Sequence, residues 1–182
     1  MMYYTTTASP LGEIILSSTG EKLNGLWFSG QKYERELLKK ADAIEENQDL
    51  PIFCETRRWL AIYFSGREPD FMPELELSGT PFRQRISRIM LSIPYGHTMT
   101  YGTIAREAAR EMGRDKLSAQ AVGGAVGHNP ISILVPCHRV VGANGSLTGY
   151  AGGIQRKIRL LENEHFDLAA AGLRIPRKGT AL

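Results

Sequence analysis

Residues 131–140 read Ile131-Ser-Ile-Leu-Val-Pro-Cys-His-Arg-Val140. The apolar first half predicts a buried strand, which would hold the backbone that follows it rigidly. The thiol of Cys137 would then project from a fixed point, with an imidazole and a guanidinium beside it. Nearby positive charge and hydrogen bonds favour the thiolate, which is the nucleophilic form of cysteine. The sequence therefore predicts a reactive thiol at Cys137, although an isolated cysteine is more often an inert buried residue.

The composition is that of an ordinary globular protein, with 42% hydrophobic and 23% charged residues among 182. No apolar run approaches the roughly 20 residues that span a bilayer. The first residues lack the basic region and apolar core of a signal peptide. With two cysteines and no export signal, the cytoplasm is the expected compartment. The cysteines and the four histidines show no metal-site spacing, so we expect neither a metal nor another cofactor.

The charge is distributed unevenly along the chain. Residues 1–80 hold 8 Lys and Arg against 13 Asp and Glu, whereas residues 81–182 hold 14 against 6. A basic half joined to an acidic half indicates that the basic half meets a polyanion. A merely solvated basic face is the alternative, and only binding to DNA predicts an affinity that falls steeply with salt.

The first 79 residues predict a sheet with helices. Turn signals separate three predicted strands, at residues 3–7, 13–17 and 23–28. Residues 31–46 place Leu37, Leu38, Ala41 and Ile44 in helical register, which predicts an amphipathic helix over the sheet. A second helix is predicted over 55–65, burying Trp59, Leu60, Ile62 and Tyr63. The domain boundary is placed near residue 79, where the charge balance changes.

The rest of the chain is predicted to be mainly helical. Thr80, Thr100 and Ser118 are candidate N-caps for helices over 81–93, 101–110 and 119–127. The last two of these are consistent with a helix-turn-helix, although their connection is longer than usual. A final amphipathic helix is predicted over 154–165, and the basic tail from 174 to 182 reads as mobile.

The segment Asn129-Pro-Ile-Ser-Ile-Leu-Val-Pro-Cys-His-Arg-Val140 resembles the active-site signature of the O6-alkylguanine-DNA alkyltransferases, the methylated-DNA–protein-cysteine methyltransferases. The likeness continues through Gly149-Tyr-Ala-Gly-Gly153, covers essentially all of residues 80–166 and extends more loosely to the N-terminal part. It implies an α/β, ribonuclease-like N-terminal domain over 1–79 with a scaffolding role. A mainly helical domain over 80–182, with a helix-turn-helix, would bind DNA and carry out the transfer.

The resemblance also implies a reaction: DNA repair by transfer of an alkyl group from O6 of guanine in duplex DNA to Cys137, after the base flips out through the minor groove. Activity on O4-alkylthymine stays open. Nothing in the sequence is suited to cleaving the carbon–sulfur bond of the product, so each molecule would act once. The expected partner is double-stranded DNA containing O6-alkylguanine. A monomer with no obligate protein partner and no membrane association is expected.

By resemblance, the reaction uses five residues besides the backbone. Cys137 is the nucleophile, His138 is the base that acts through a bridging water, and Glu164 orients that histidine. Asn129 is a hinge that braces the site, and Tyr101 donates a proton toward the leaving guanine. Tyr150 would wall the pocket, while the backbone groups of Cys137, Val140 and Ala151 would contact the guanine edge. Arg139 is predicted to tie loops together rather than touch substrate.

The helix over 119–127 is unusual because it contains three glycines, each costing about 1 kcal/mol relative to alanine. Either another helix or a nucleic-acid backbone must approach closely. The resemblance places this helix in the minor groove, only about 6 Å wide. Gln120 stands where the family commonly has an arginine that intrudes into the duplex. The candidate DNA-binding residues are Arg83, Ala119, Gln120, Ala121, Gly123 and Gly124.

Two other interpretations compete with this one. A thiol hydrolase would require cysteine and histidine to meet directly, usually from separate segments, and an oxyanion site. A non-catalytic DNA-binding module would share the basic half and the helix-turn-helix but would not need Cys137. Replacing Cys137 with alanine separates the two DNA-binding interpretations, because a pure binding module would be unaffected.

Overall fold

The computed structural model describes residues 1–175, which divide into two compact units. The first unit contains residues 1–78 together with 130–134, and the second contains 79–129 and the chain from Val135 onward. No helix among the described residues is long and apolar enough to cross a membrane. The prediction for the tail concerns residues 174–182, of which 176–182 lie outside the described residues. Arg174 itself is held by backbone hydrogen bonds to Gly145 and Leu147, so it does not fit that prediction.

The first unit is built on a four-stranded mixed sheet of order β3-β2-β1-β4. The strands are β1 (Met2–Thr7), β2 (Ile14–Ser18), β3 (Leu23–Phe28) and β4 (Ile44–Glu46). β2 pairs antiparallel with both β1 and β3, while β4 adds in parallel to β1. The three strands predicted from turn signals are therefore confirmed. Every residue of β2 and β3 is buried in the core of this unit.

The prediction of a helix over residues 31–46 is wrong. Only one 3₁₀ turn, Leu38–Lys40, forms there, and the chain continues into β4. Tyr33 and Arg35 adopt left-handed backbone conformations, with φ of 63° and 57°, which no helix accommodates. The turn buries Leu38 in the core, and pairing of β4 with β1 gives the edge backbone its hydrogen-bond partners. Helical periodicity was therefore outweighed by pairing at the sheet edge.

Helix α1 (Pro51–Phe64) begins four residues earlier than the predicted start at 55, with Pro51 at its first position. The added turn brings Ile52 and Phe53 into the core. Trp59, Leu60 and Tyr63 are buried as expected, whereas Ile62 is only half-buried.

The segment Ile131–Val135 is not the predicted strand. Ile131 forms a single bridge to Leu26, whose N–H donates to the Pro130 carbonyl and whose carbonyl accepts from the Ser132 N–H. Ile133 then turns the chain with a φ of 70°, a left-handed conformation that ends any ladder. All five residues of the segment are nevertheless buried, so the backbone before Cys137 is anchored by burial and by this bridge rather than by a strand.

In the described part of the second unit, up to residue 175, there are four α-helices: α2 (Pro81–Leu91), α3 (Tyr101–Glu111), α4 (Ala119–Gly127) and α5 (Ile154–Asn163). The predicted caps are confirmed, because the hydroxyls of Thr80, Thr100 and Ser118 accept hydrogen bonds from backbone N–H groups in the first turns of α2, α3 and α4. These three helices pack against one another, and α3 and α4 form the helix-turn-helix. A short parallel pair, β5 (Met99–Thr100) and β6 (Val140–Val141), completes the unit. The predicted fold class is confirmed.

Candidate active site

Cys137 opens a 3₁₀ turn, Cys137–Arg139, that leads directly into β6. Its side chain is 5% exposed. Asn129, two residues beyond the end of α4, reaches this turn with its amide: Nδ2 donates to the Val135 carbonyl at 2.8 Å and to the Cys137 sulfur at 3.1 Å. Asn129 therefore connects the end of α4 to the cysteine-bearing turn, a contact that fits the bracing role implied by the resemblance.

The resting thiol is not the thiolate that the sequence predicts. Burial raises the pKa of Cys137, and this effect outweighs the opposing hydrogen bond from Asn129 and the opposing charge of Lys157. Arg139 does not supply the expected positive charge, because its guanidinium is bound elsewhere. Solvation lost on burial favours the neutral form, so the site holds a protonated thiol that must lose its proton before it reacts.

His138 points its Nε2 atom at Glu164, 2.6 Å from Oε1, with both side chains fully buried. Burial lowers the pKa of His138, and the neighbouring carboxylate only partly opposes that effect. The imidazole is accordingly neutral. Because Nε2 donates its proton to the carboxylate, Nδ1 carries the lone pair and is the nitrogen able to accept a proton.

Glu164 is buried directly after α5 instead of being a solvated helix residue. Arg139 donates to it through Nε at 2.9 Å and Nη2 at 3.1 Å, and Gly96 donates its N–H at 3.1 Å. Burial alone would raise the pKa of Glu164, but the hydrogen bonds from His138 and Arg139, together with the charge of Arg139, lower it to about 2. The carboxylate is therefore ionised at neutral pH, with Arg139 as its counter-ion.

Arg139 has the loop-tying role that the sequence predicts. Besides its two bonds to Glu164, its Nη1 donates to the Ile93 carbonyl at 2.7 Å. The guanidinium thereby connects the cysteine-bearing turn, the end of α5 and the segment that follows α2.

Tyr101, the first residue of α3, donates its hydroxyl to the Thr148 carbonyl at 3.3 Å. Burial and the nearby Cys137 raise its pKa, so the phenol stays protonated and remains a donor. Tyr150 is 9% exposed, and its ring packs so closely on Gly152 that a Cβ there would lie 2.6 Å from a ring carbon. Val140 is buried and Ala151 is half-buried. These residues all belong to the second unit.

Lys157, which is fully buried in α5, is a further charged residue beside the site that was not predicted from the sequence. Its ammonium donates to the carbonyls of Val140 and Thr148. A signal was present: Lys157 lies three residues after Ile154 and four before Leu161, within the apolar stripe of the helix. A lysine at a position that the helical period buries indicates a specific partner.

The candidate DNA-binding residues lie on or near α4. Ala119, Gln120 and Ala121 are exposed at its first turn, while Arg83 in α2 is half-buried. Gly123 is buried, but a Cβ at Gly124 would meet no atom within 4 Å. Close packing within the protein therefore does not account for the glycine at 124. Among residues 1–175, no three histidine, cysteine, aspartate or glutamate side chains are grouped to hold a metal ion.

The buried thiol of Cys137 is followed in the chain by a histidine that is hydrogen-bonded to a buried carboxylate. In a unit with a helix-turn-helix, this arrangement is typical of a cysteine-dependent transferase that acts on DNA. Comparison with known proteins is consistent with that class and narrows it. Residues 2–77 match the family model for the ribonuclease-like domain of 6-O-methylguanine DNA methyltransferase, and residues 81–166 match the model for its DNA binding domain. The chain belongs to the methylated-DNA–protein-cysteine methyltransferase family, and the resemblance seen in the sequence is confirmed.

Individual relatives support this membership. The methylated-DNA–protein-cysteine methyltransferase of Mycobacterium tuberculosis is 43% identical over 164 residues, covering 90% of this chain and 93% of the relative. That of Methanosarcina acetivorans is 42% identical, covering 90% and 98%. The crystal structure of Mycobacterium tuberculosis O6-methylguanine methyltransferase superposes with a TM-score of 0.75 at 43% identity, over 90% of this chain and 93% of that one. A structure of Mycobacterium tuberculosis OGT in complex with DNA gives 0.73 at 43% identity, over 89% and 92%.

Proposed function

We propose that this protein repairs DNA by transferring an alkyl group from O6 of guanine in the duplex to Cys137, once per molecule. The observation that carries the proposal is the environment of Cys137: a thiol bonded to Asn129, next to a neutral histidine that a buried carboxylate orients. Membership of the methyltransferase family supports the same reaction. O6-alkylguanine is the proposed substrate.

The reaction is a displacement at the carbon attached to O6. Cys137 gives its proton to Nδ1 of His138 through a bridging water, as a general base mechanism requires. The sulfur then forms a bond to the alkyl carbon, and the carbon–oxygen bond breaks with its electron pair on the guanine. Tyr101 donates its phenolic proton to the ring. The resulting phenolate and imidazolium neutralise each other by proton exchange through solvent, leaving a thioether and neutral guanine.

The damaged base must leave the stack to reach the buried sulfur, which costs only a few kcal/mol. We assign the approach to DNA to α4, whose first turn is exposed and whose Gly124 leaves open space for a nucleic-acid backbone. The DNA complex of the Mycobacterium tuberculosis relative supports the binding of DNA itself. Binding to the basic second half should weaken steeply with salt, because phosphate neutralisation releases counter-ions.

The two parts of the chain have separate roles in this proposal. Residues 80–182 bind DNA and carry out the transfer, since the proposed site residues all lie there. Residues 1–79 act as a scaffold. The protein is proposed to work in the cytoplasm as a monomer without an obligate protein partner.

The test is the intact mass before and after incubation with excess duplex oligonucleotide carrying O6-methylguanine. The mass should increase by one methyl group, and peptide mapping should place it on Cys137 and not on the exposed Cys54. Cys54→Ala should react like the wild type, and Cys137→Ala should bind the duplex without gaining mass. An unaltered mass favours a non-catalytic binding module, and more than one alkyl group processed per chain rules out the single-turnover reaction.

A further inference from the structure

A tight turn shortly after α2 touches the buried carboxylate of the candidate site. Residues 94–97 form a β-turn, in which the His97 N–H donates to the Pro94 carbonyl at 3.1 Å. Gly96, at the third position, has a φ of 71°, the left-handed conformation that a type II turn requires there. The turn directs the Gly96 N–H at Oε2 of Glu164, 3.1 Å away. A backbone donor of this turn is therefore part of the environment of the carboxylate.

The Gly96 N–H completes the hydrogen bonding of Glu164. A carboxylate can accept about four hydrogen bonds, two at each oxygen. Oε1 accepts from Nε2 of His138 and Nη2 of Arg139, and Oε2 accepts from Nε of Arg139. These three bonds all come from two adjacent residues of the cysteine-bearing turn. The bond from Gly96 comes from a different segment of the chain, so the carboxylate is held from a second side.

Contact as well as conformation requires glycine at position 96. A Cβ on Gly96 would lie 3.3 Å from the backbone carbonyl oxygen of Glu164, which is tighter than ordinary van der Waals contact. A left-handed φ is also unfavourable for a residue that has a side chain. The glycine therefore permits the turn and also allows the turn to approach the end of α5.

Tyr95 adds two contacts to the same group of residues. Its hydroxyl donates at 3.2 Å to the carbonyl of Asn163, the last residue of α5, immediately before Glu164. Its ring faces the guanidinium of Arg139, whose Cζ atom is 5.8 Å from the ring centroid, within the roughly 6 Å of a cation–π contact. The carbonyl of Ile93 accepts from Nη1 of the same guanidinium at 2.7 Å. This segment thus contacts both members of the buried ion pair.

We propose that Gly96 and Tyr95 are positioning residues for the alkyl transfer. They act through Glu164: the Gly96 N–H and the Tyr95 hydroxyl fix the carboxylate and the end of α5, while the Tyr95 ring fixes the counter-ion. The carboxylate then keeps the proton of His138 on Nε2, so that Nδ1 presents its lone pair for the proton of the thiol. The inference rests on the proposed function, in which His138 is the base.

The first experiment compares Gly96→Ala with Gly113→Ala. Both substitutions place a Cβ on a left-handed backbone, with φ of 71° and 62°, but a Cβ at Gly113 meets no atom of residues 1–175 within 4 Å. Both variants should therefore lose thermal stability to a similar extent. At saturating duplex, Gly96→Ala should slow single-turnover methyl transfer about tenfold, because the base leaves its productive geometry. Gly113→Ala should keep the wild-type rate, and equal rates in the two folded variants overturn the proposal.

A spectroscopic measurement separates positioning from general destabilisation. Nitrogen NMR of the imidazole reports which nitrogen of His138 carries the proton, and it requires no DNA. The wild type and Gly113→Ala should show one tautomer, protonated at Nε2. Gly96→Ala should show a mixture of the two tautomers, because a displaced carboxylate selects Nε2–H less strongly. A wild-type spectrum in Gly96→Ala contradicts the inference.

Tyr95 provides a test that does not depend on a strained backbone. Tyr95→Leu removes the ring and the hydroxyl, whereas Tyr95→Phe removes the hydroxyl alone. Tyr95→Leu should slow transfer at saturating duplex about fivefold, as expected for the loss of one hydrogen bond and one cation–π contact. Tyr95→Phe should recover part of the rate, because its ring still faces Arg139. A wild-type rate in Tyr95→Leu, or a Tyr95→Phe protein as slow as Tyr95→Leu, contradicts the role of the ring.

The two hypotheses fail in different ways. If the wild type transfers no methyl group from the oligonucleotide, the proposed function is wrong, whatever the tautomer of His138 is. If the wild type transfers the group but Gly96→Ala and Tyr95→Leu keep both its rate and its tautomer, only the positioning role is wrong.

Discussion

Oε1 of Glu164 lies 2.6 Å from Nε2 of His138, and both side chains are fully buried. The two residues are 26 positions apart in the chain. They meet because α5 packs against the cysteine-bearing turn, and Glu164 directly follows the last residue of α5. Arg139 satisfies the same carboxylate, which keeps it ionised and leaves the imidazole neutral. The arrangement fixes the histidine tautomer before any substrate is present.

Removing the charge of Glu164 should therefore impair transfer. Glu164→Gln leaves His138 without its orienting anion and Arg139 without its counter-ion. Single-turnover transfer should slow about 100-fold or more, the usual range for a general base, and the free energy of unfolding should fall by about 3 kcal/mol. Rates are measured by quenched methyl transfer to the protein. Glu162→Gln, an exposed carboxylate on the same helix, is the control. Equal rates for the two variants would contradict the assignment.

The same carboxylate predicts how stability depends on pH. Its pKa is lowered from 4.5 in the unfolded chain to about 2 in the folded protein. The unfolded state then binds more protons between these values, so the stabilisation is complete above pH 4.5 and is lost as the pH falls toward 2. The contribution is about 3 kcal/mol. Urea unfolding from pH 6 to pH 2.5 should show a shallower acid loss in Glu164→Gln than in Glu162→Gln. Parallel curves would exclude this linkage.

Asn129 provides a prediction about the thiol. Its amide bonds to the Val135 carbonyl and to the Cys137 sulfur, and the second bond lowers the pKa that burial raises. Asn129→Ala should move the pH midpoint for labelling of Cys137 by iodoacetamide to a higher pH, and it should slow the transfer of the methyl group to Cys137. It should also cost about 1–3 kcal/mol of unfolding free energy, because the buried carbonyl loses its donor. Gln155→Ala, an exposed amide on α5, serves as the comparison. A wild-type labelling midpoint in Asn129→Ala would argue against the hinge role.

Local signals in the sequence predicted the helices of the second unit well. A hydroxyl cap followed by helical periodicity is sufficient for α2, α3 and α4, since the cap and the apolar face act within one element. Long-range contacts account for the errors. Residues 31–46 have the helical period, but their last part, β4, pairs with β1 at the edge of the sheet. Ile133 turns the chain where the apolar run predicts a strand.

The candidate site shows the same contrast between features that local sequence predicts and features that depend on the whole fold. The cysteine motif could be predicted because its residues are contiguous in the sequence. Asn129 and Tyr150 were predicted in the same way, from the segments 129–140 and 149–153 that resemble the family. The prediction that Cys137 rests as a thiolate differs from the structure, in which burial raises the pKa of the thiol. Burial is a property of the whole fold and cannot be judged from adjacent basic residues. Lys157 was missed because its two acceptors are backbone carbonyls, which carry no sequence signature.

The resemblance to the family implies that Gln120 takes the place of an arginine that intrudes into the duplex, and its side chain is exposed at the start of α4. Glutamine can still hydrogen-bond an orphaned base, so base flipping should persist. Gln120→Arg should tighten binding to duplex DNA severalfold, and the measurement is a titration at several salt concentrations. Gln155→Arg adds the same charge away from α4 and should have a smaller effect. An unchanged or weaker affinity in Gln120→Arg would remove α4 from the proposed interface.

Gly124 separates what the fold requires from what DNA binding requires. A Cβ at this position meets no protein atom within 4 Å, and alanine is favoured over glycine in a helix by about 1 kcal/mol. Gly124→Ala should therefore raise the free energy of unfolding while weakening binding to duplex DNA, because the methyl group obstructs the approaching backbone. Gly102→Ala, at an exposed glycine of α3 whose Cβ would make only ordinary contacts, is the reference for the stability effect. If Gly124→Ala stabilises the protein and binds DNA as well as the wild type does, the open space beside α4 is not where the duplex lies.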